Sequence, residues 1–195
     1  MSGSSPSTPV RRIVVSGALG ALSIVLIVTP FGMIPWFSNT SLTTMHIPAI
    51  IGAIIEGPVV GTVVGGIFGV AALVRAAVAP NVAFDVFFVN PFVSVLPRLI
   101  FPVLAWLVYR AFGGKRMAIA SATAAVAGSL VHSFLVLGVL TLIGALPLAT
   151  SAAVFAANST IEAVAAGVLV TAVVSAWKGI EGRTGRSRLA EDEEK

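Results

Sequence analysis

This sequence predicts an all-α integral membrane protein, a bundle of six transmembrane helices with both termini in the cytoplasm. Three observations carry that prediction. Of 195 residues, 57% are hydrophobic and 10% are charged, and the mean hydropathy is +1.02, well outside the range of soluble domains. Apolar stretches of about 18 residues or more, the length that crosses a bilayer, recur along the chain between prolines and glycines. The cations are also placed asymmetrically. Of twelve Lys and Arg, Arg11, Arg12, Arg110, Lys115, Arg116, Lys178, Arg183, Arg186, Arg188 and Lys195 fall in segments that a six-helix topology puts on one side. Positive charge marks the cytoplasmic side. Arg75 and Arg98 are the two exceptions, and a cation inside an apolar span calls for an explanation.

The elements follow from the punctuation. Residues 1–12 are rich in Ser and Pro and read as a disordered cytoplasmic N-terminus. The apolar run after Arg12 has no small-residue cleavage pattern at its end, so it reads as a retained helix over 13–34, stopped by Pro35. A loop from Trp36 to Met45 follows. The second helix, 47–56, rises only about 15 Å, half the hydrocarbon thickness. It must therefore extend into the loop or sit inside the bundle. The Glu56-Gly57-Pro58 break leads to a third helix over 59–78, ended by Pro80. A loop over 79–91 precedes a fourth helix at 92–112, closed by Gly113-Gly114. Two more helices are expected at 117–142 and 151–177, with Pro147 between them. The membrane domain thus covers 13–177, and 178–195 is a polar cytoplasmic tail.

Small residues recur every four positions. Gly57, Gly61, Gly65 and Gly69 stripe the third helix; Ala120, Ala124, Gly128 and His132 the fifth; Ala163, Gly167, Thr171 and Ser175 the sixth. In lipid, apolar burial does not drive helices together. Small side chains that let backbones approach do so instead. The first helix pairs Ser16 with Gly20 and Gly17 with Ala21, a face that either packs internally or docks on another membrane protein.

Several function classes are excluded. With no cysteine, there is no disulfide, thiolate metal site or thiol redox centre. No phosphate-binding G-x-x-x-x-G-K-[ST] or zinc-binding H-E-x-x-H motif occurs. Ser129 and His132 share a helical face, but no G-x-S-x-G accompanies them, so an intramembrane hydrolase is disfavoured. The sequence calls for no cofactor and no metal. The basic pI, near 10.4, comes from cations at helix ends, which set topology and meet anionic lipid rather than nucleic acid.

The polar groups inside the spans are the candidate site. Arg98 follows Ser94 by four residues, so both lie on one helical face. Glu162 is the carboxylate deepest in an apolar span, and Asn158 precedes it by one turn. Two readings stay open: Arg98 and Glu162 form an internal ion pair, or Arg98 faces an outward cavity and meets the anionic end of a ligand beside Asn158 or Glu162. Arg75 snorkels to the headgroups or lines the same cavity. His46 is a candidate on the loop side of that cavity. His132 reads as a packing residue. Trp36, Phe37, Phe84, Phe87 and Phe88 serve as interface anchors or as lids over a pocket.

Two segments carry a family resemblance. One is Thr44-Met45-His46-Ile47-Pro48-Ala49-Ile50-Ile51-Gly52 running into Glu56-Gly57-Pro58-Val59-Val60-Gly61; the other is Asn90-Pro91-Phe92-Val93-Ser94-Val95-Leu96-Pro97-Arg98. Over about 13–177 the chain resembles the S components, the substrate-binding subunits of energy-coupling factor (ECF) vitamin transporters. The second segment resembles the pantothenate-type subgroup. The resemblance implies an outward pocket built by the loops after the first, third and fifth helices with helices four to six. It implies no catalysis in this subunit. A transmembrane T component and two cytoplasmic ATPases would be its partners in a prokaryotic cell membrane. Arg98 would meet the ligand carboxylate, Asn158 would add a polar contact, and 36–46 would act as a lid, with Asn90 and Trp36 among the contacts. Docking through the first helix would use Gly17, Gly20 and Ala21. The alanine-spaced docking pattern departs here, since Ala18 is followed four places on by Leu22. A binder of another vitamin (folate, riboflavin or a thiamin precursor) and a small stand-alone secondary carrier are the competing readings.

Overall fold

The computed structural model describes residues 9–35, 41–80, 85–112 and 116–193. Helix α1 spans Pro9–Val28, with proline at its first position, where a missing N–H costs nothing. It ends before the expected 34. Pro30 starts a single 3-10 turn, Pro30–Gly32, and the chain enters strand β1, Met33–Pro35. This strand pairs antiparallel with β2, Ser41–Thr43, bringing Met33 opposite Thr43. Gly32 is required at the turn because any Cβ there would overlap the Leu26 carbonyl. The segment expected as a plain loop is thus a short hairpin flanking residues 36–40. Trp36 and Phe37 lie outside the described residues, as does Phe84.

Helix α2, Ile47–Glu56, resolves the length problem by sitting inside the bundle. Every residue except Ile55 is buried, and α2 packs against α1 and against the helices over 58–78, 96–111, 117–142 and 160–193. Shielded by protein, it does not have to match the bilayer. Its end requires glycine: Gly57 has φ +100°, donates to the Ala53 carbonyl at 3.1 Å, and hands over to Pro58, the first residue of α3 (Pro58–Val78). Among the described residues, five helical stretches are long and apolar enough to cross a membrane: Pro9–Val28, Pro58–Val78, Pro91–Ala111, Met117–Leu142 and Leu148–Glu181.

The expected fourth helix is divided. A single turn α4, Asp85–Phe88, lies in the preceding loop. Then α5, Pro91–Ser94, leads through Val95 into α6, Leu96–Ala111. Pro97 has no N–H to donate, and the ladder breaks one residue before Leu96. Helix α7 is Met117–Leu142, as expected. The last helix starts early, at Leu148 (α8, Leu148–Val154), passes through a π turn at Phe155–Ser159, and continues as α9, Thr160–Glu193. It was expected to end at 177; its backbone stays helical to Glu193.

The glycine stripes pack inward. A Cβ on Gly65 would overlap the Arg98 carbonyl oxygen, and one on Gly69 would lie 2.8 Å from the Ser94 carbonyl. Pro102, inside α6, has no N–H to offer that Arg98 carbonyl, which instead abuts α3. Gly128 similarly admits Ala105, 2.8 Å from where its Cβ would be. The core runs from Val15 on α1 through Ile50 and Ile54 on α2 to Val170 and Val174 on α9. Apolar side chains such as Val14, Val25, Val70, Val164 and Val168 face outward, as a lipid solvent allows.

The two ends of the bundle differ. At one, Arg11 meets Glu181 far along α9 and lies 2.5 Å from Glu56 at the end of α2, so the start of α1, the end of α2 and the stretch of α9 around Glu181 meet there. Lys178 donates to the Tyr109 hydroxyl there at 2.8 Å. At the other, Phe87, Phe88, Val93, Val136, Leu140 and Leu146 cluster, joining the loops after α3 and α7.

Candidate functional site

Arg98 lies on the first turn of α6, placed by the Gly65 contact, and is 4% exposed. One Nη donates to the Val93 carbonyl. Its Nε has no acceptor among the described residues. The guanidinium lies over two aromatic faces, Phe68 of α3 at 5.2 Å and Phe88 of α4 at 5.4 Å. Such faces stabilise a desolvated cation without neutralising it.

Beside this cation stands a pair of imidazoles. His46, which precedes α2, stacks on His132 of α7 with centroids 5.3 Å apart and planes 16° apart. Phe101 meets the His132 ring edge-on at 4.8 Å, and Phe68 lies 5.8 Å away. The Arg98 charge acts on both imidazoles. Among the described residues, neither ring nitrogen of His46 has a hydrogen-bond partner, nor has His132 Nδ1; the buried Ser129 hydroxyl on α7 is likewise unpaired there. A buried polar group without a partner costs roughly 1–3 kcal/mol. Arg98, His46 and His132 thus form one buried cluster among the rings of Phe68, Phe88 and Phe101, with hydrogen-bonding atoms left open to an anionic, hydrogen-bonding ligand.

The other candidates have partners within the chain. Arg75 does not snorkel: its Nη2 and Nη1 clamp the buried Asp85 at 2.6 and 3.1 Å, fastening α4 to the end of α3. Asn90 caps α5, its Oδ1 accepting from the Phe92 amide at 3.0 Å. The Ser94 hydroxyl donates to the Phe88 carbonyl and so fixes the aromatic ring that covers Arg98. Glu162 forms no ion pair with Arg98. Its Oε1 accepts from the Thr43 amide at 2.6 Å, the Thr43 hydroxyl at 2.8 Å and Asn158 Nδ2 at 3.1 Å, and Ser133 adds a side-chain hydrogen bond. Asn158 sits in the π turn, aimed at Glu162. On α1, Gly17 and Ala21 are exposed, but Gly20 is buried against Ile67 of α3. Among the described residues, no cluster of metal-ligating side chains exists.

Sequence reasoning missed His132 as a partner of His46, because stacking between distant segments leaves no local signature. Phe68 and Phe101 were equally silent. Their one sequence signal is that Phe68 adjoins Gly69, where α3 and α5 approach.

A family model for the ECF transporter substrate-specific component matches residues 11–177. The comparison with curated proteins returns no match.

Proposed function

The chain belongs to the family of ECF transporter substrate-specific components, and we propose that the ligand of this substrate-binding subunit is pantothenate or a similarly small vitamin with one carboxylate. In this reading α2 makes a sixth, protein-shielded passage, both termini face the cytoplasm of a prokaryotic cell, and the Arg98 end opens outward. A transmembrane T component and two ATPases take up the loaded subunit, with Gly17 and Ala21 on the exposed face of α1 as contacts.

The observation that carries the assignment is Arg98: a buried guanidinium held over two phenyl faces, whose Nε–H meets no acceptor and which pairs with no carboxylate among the described residues. Pantothenate matches the surroundings group by group. Its carboxylate would neutralise Arg98 through charge-assisted hydrogen bonds. Its hydroxyls and amide would engage His46, His132 and Ser129, and its gem-dimethyl group would lie against Phe68 and Phe101.

Titration calorimetry of the detergent-purified protein tests this. Pantothenate should bind, and Arg98→Gln should weaken binding by about 10- to 100-fold, the value of a hydrogen bond to a charged group. A panel of riboflavin, folate and thiamin precursors should bind more weakly. Full affinity in Arg98→Gln would refute the role of the arginine, and preference for a vitamin without a carboxylate would refute the ligand class.

A further inference from the structure

Helices α1 and α3 pack side by side, but α1 stops at Val28 while α3 continues to Val78. Between them a groove of about 710 Å³ opens on the outside of the bundle and runs to the Arg75 end of α3. Ile24 and Val28 of α1 border it, as do Val70, Val74 and Val78 of α3; all five are exposed. Small residues leave the space open. At Gly66 a Cβ would meet only Leu99 Cδ2, at 3.3 Å, and Ala71 presents a single methyl group.

The chemistry of the groove selects its occupant. Among the described residues, Arg75 is the one polar side chain on its wall. Ordered water needs several polar partners at once, so water has no hold on a space this large. Both bordering helices are long and apolar enough to cross a membrane, and the medium against them is therefore acyl chain. The groove also has the length of one leaflet. From Gly66 to Val78, α3 rises about 18 Å, against about 15 Å for half the hydrocarbon core. Arg75 stands near the end of that stretch, where headgroups begin. Its clamp on Asp85 engages Nη1 and Nη2 and leaves part of the guanidinium's donor set uncommitted among the described residues. Arginine donors match the oxygens of a phosphate.

We propose that this groove is a phospholipid site, in which one acyl chain lies between α1 and α3 and the phosphate meets Arg75. Apolar burial alone does not select an occupant in a bilayer. Contact with two walls instead of one, and a charge-assisted hydrogen bond at the end, do so. The consequence reaches the interior. Ile27 and Ala71 line the groove and also pack in the cluster of Phe68, whose ring lies 5.2 Å from the Arg98 guanidinium. The bound chain supports that wall from behind. The proposal rests on the membrane setting of the family and not on the identity of the transported ligand.

Native mass spectrometry of the detergent-purified protein, titrated with phosphatidylglycerol, tests this. Wild type should retain one phospholipid after loosely held lipid is stripped. A diacylglycerol with the same chains lacks the phosphate and should be retained about 10- to 100-fold less, the value of a hydrogen bond to a charged group. Ala71→Phe fills the groove and should cut phospholipid retention at least about tenfold. Val74→Phe, on the exposed border, is the second filling variant and decides if Ala71→Phe does not fold. Val164→Phe, on an exposed face of α9, should keep wild-type retention. Added phosphatidylglycerol should raise the melting temperature of wild type and of Val164→Phe, and that of the filled variants less. Absence of retained phospholipid in wild type would overturn the proposal. So would unchanged retention in the filled variants, since the lipid would then sit elsewhere, and equal retention of diacylglycerol, since Arg75 would then hold no phosphate. A dimer that the filling variants dissolve would assign the groove to a second copy of the chain and overturn it as well.

Discussion

Replacing Gly65 by alanine should push α6 away from α3 and carry Arg98 with it. The Cβ of such an alanine would fall on the Arg98 carbonyl oxygen, with Pro102 Cγ of the next turn of α6 only 3.2 Å away. Cβ contacts under 3.0 Å are essentially never observed, and the obstacle is backbone, which cannot rotate aside as a side chain does. Overpacking a helix contact costs about 1–3 kcal/mol, and a backbone collision belongs at the upper end. Alanine recovers up to about 1 kcal/mol in helix propensity, leaving a net loss of about 1–2 kcal/mol. Two neighbours calibrate this. At Gly66 a Cβ would meet only Leu99 Cδ2, at 3.3 Å, and at Gly17 nothing within 4 Å. Thermal unfolding in detergent, followed by tryptophan fluorescence, should rank Gly17→Ala at or above wild type, Gly66→Ala near it and Gly65→Ala clearly below. Pantothenate affinity should fall in Gly65→Ala alone. A Gly65→Ala protein as stable as wild type with full affinity would refute the proposed α3–α6 contact and the placement of Arg98 that depends on it.

The Arg75–Asp85 clamp should behave as a structural pair. Arg75→Ala removes the clamping guanidinium from a carboxylate that is 2% exposed and should destabilise by about 3 kcal/mol or more. The Arg75→Ala/Asp85→Ala double variant should be milder than Arg75→Ala, measured by thermal unfolding, and folded protein should bind pantothenate normally. Asn90→Ala should lose a cap worth about 1 kcal/mol, seen as a lower melting temperature with unchanged affinity by calorimetry; a specific loss of affinity would return Asn90 to the ligand site.

What was legible in the sequence was whatever one segment decides for itself. Prolines and apolar runs marked α3 and α7 nearly to the residue, and the four-residue stripe from Gly57 to Gly69 identified a close-packed face. The rest depends on meetings between segments. Pro30 ended α1 early, but nothing local to 33–43 announced strands of three residues, since pairs that short form only when something else holds them. Asp85 was visible as a loop acid and Arg75 as a helix-end cation; their clamp needed the chain to fold back through residues whose path no periodicity reveals. The π turn at Phe155–Ser159 leaves the hydropathy pattern untouched, because one widened turn changes side-chain direction and not composition.

Two charges inside an apolar span invite the assumption that they neutralise each other, and the pairing of Arg98 with Glu162 was the plainest expectation from their chemistry. Their separation is the more informative outcome. Every buried polar side chain in lipid must answer for its desolvation. Arg75, Asp85, Ser94 and Glu162 do so inside the protein, each with a partner that fixes one piece of chain to another. Arg98, His46 and His132 sit equally deep, yet keep Nε, both His46 nitrogens and His132 Nδ1 unmatched. Had Glu162 turned to Arg98, the guanidinium would have been quenched and the hairpin left unfastened. By committing its carboxylate to Thr43, the fold leaves one positive charge between two phenyl faces without a carboxylate partner among the described residues. That division separates polar groups matched inside the protein from groups left unmatched, and under the proposed function the Arg98→Gln variant tests whether the unmatched ones meet a ligand.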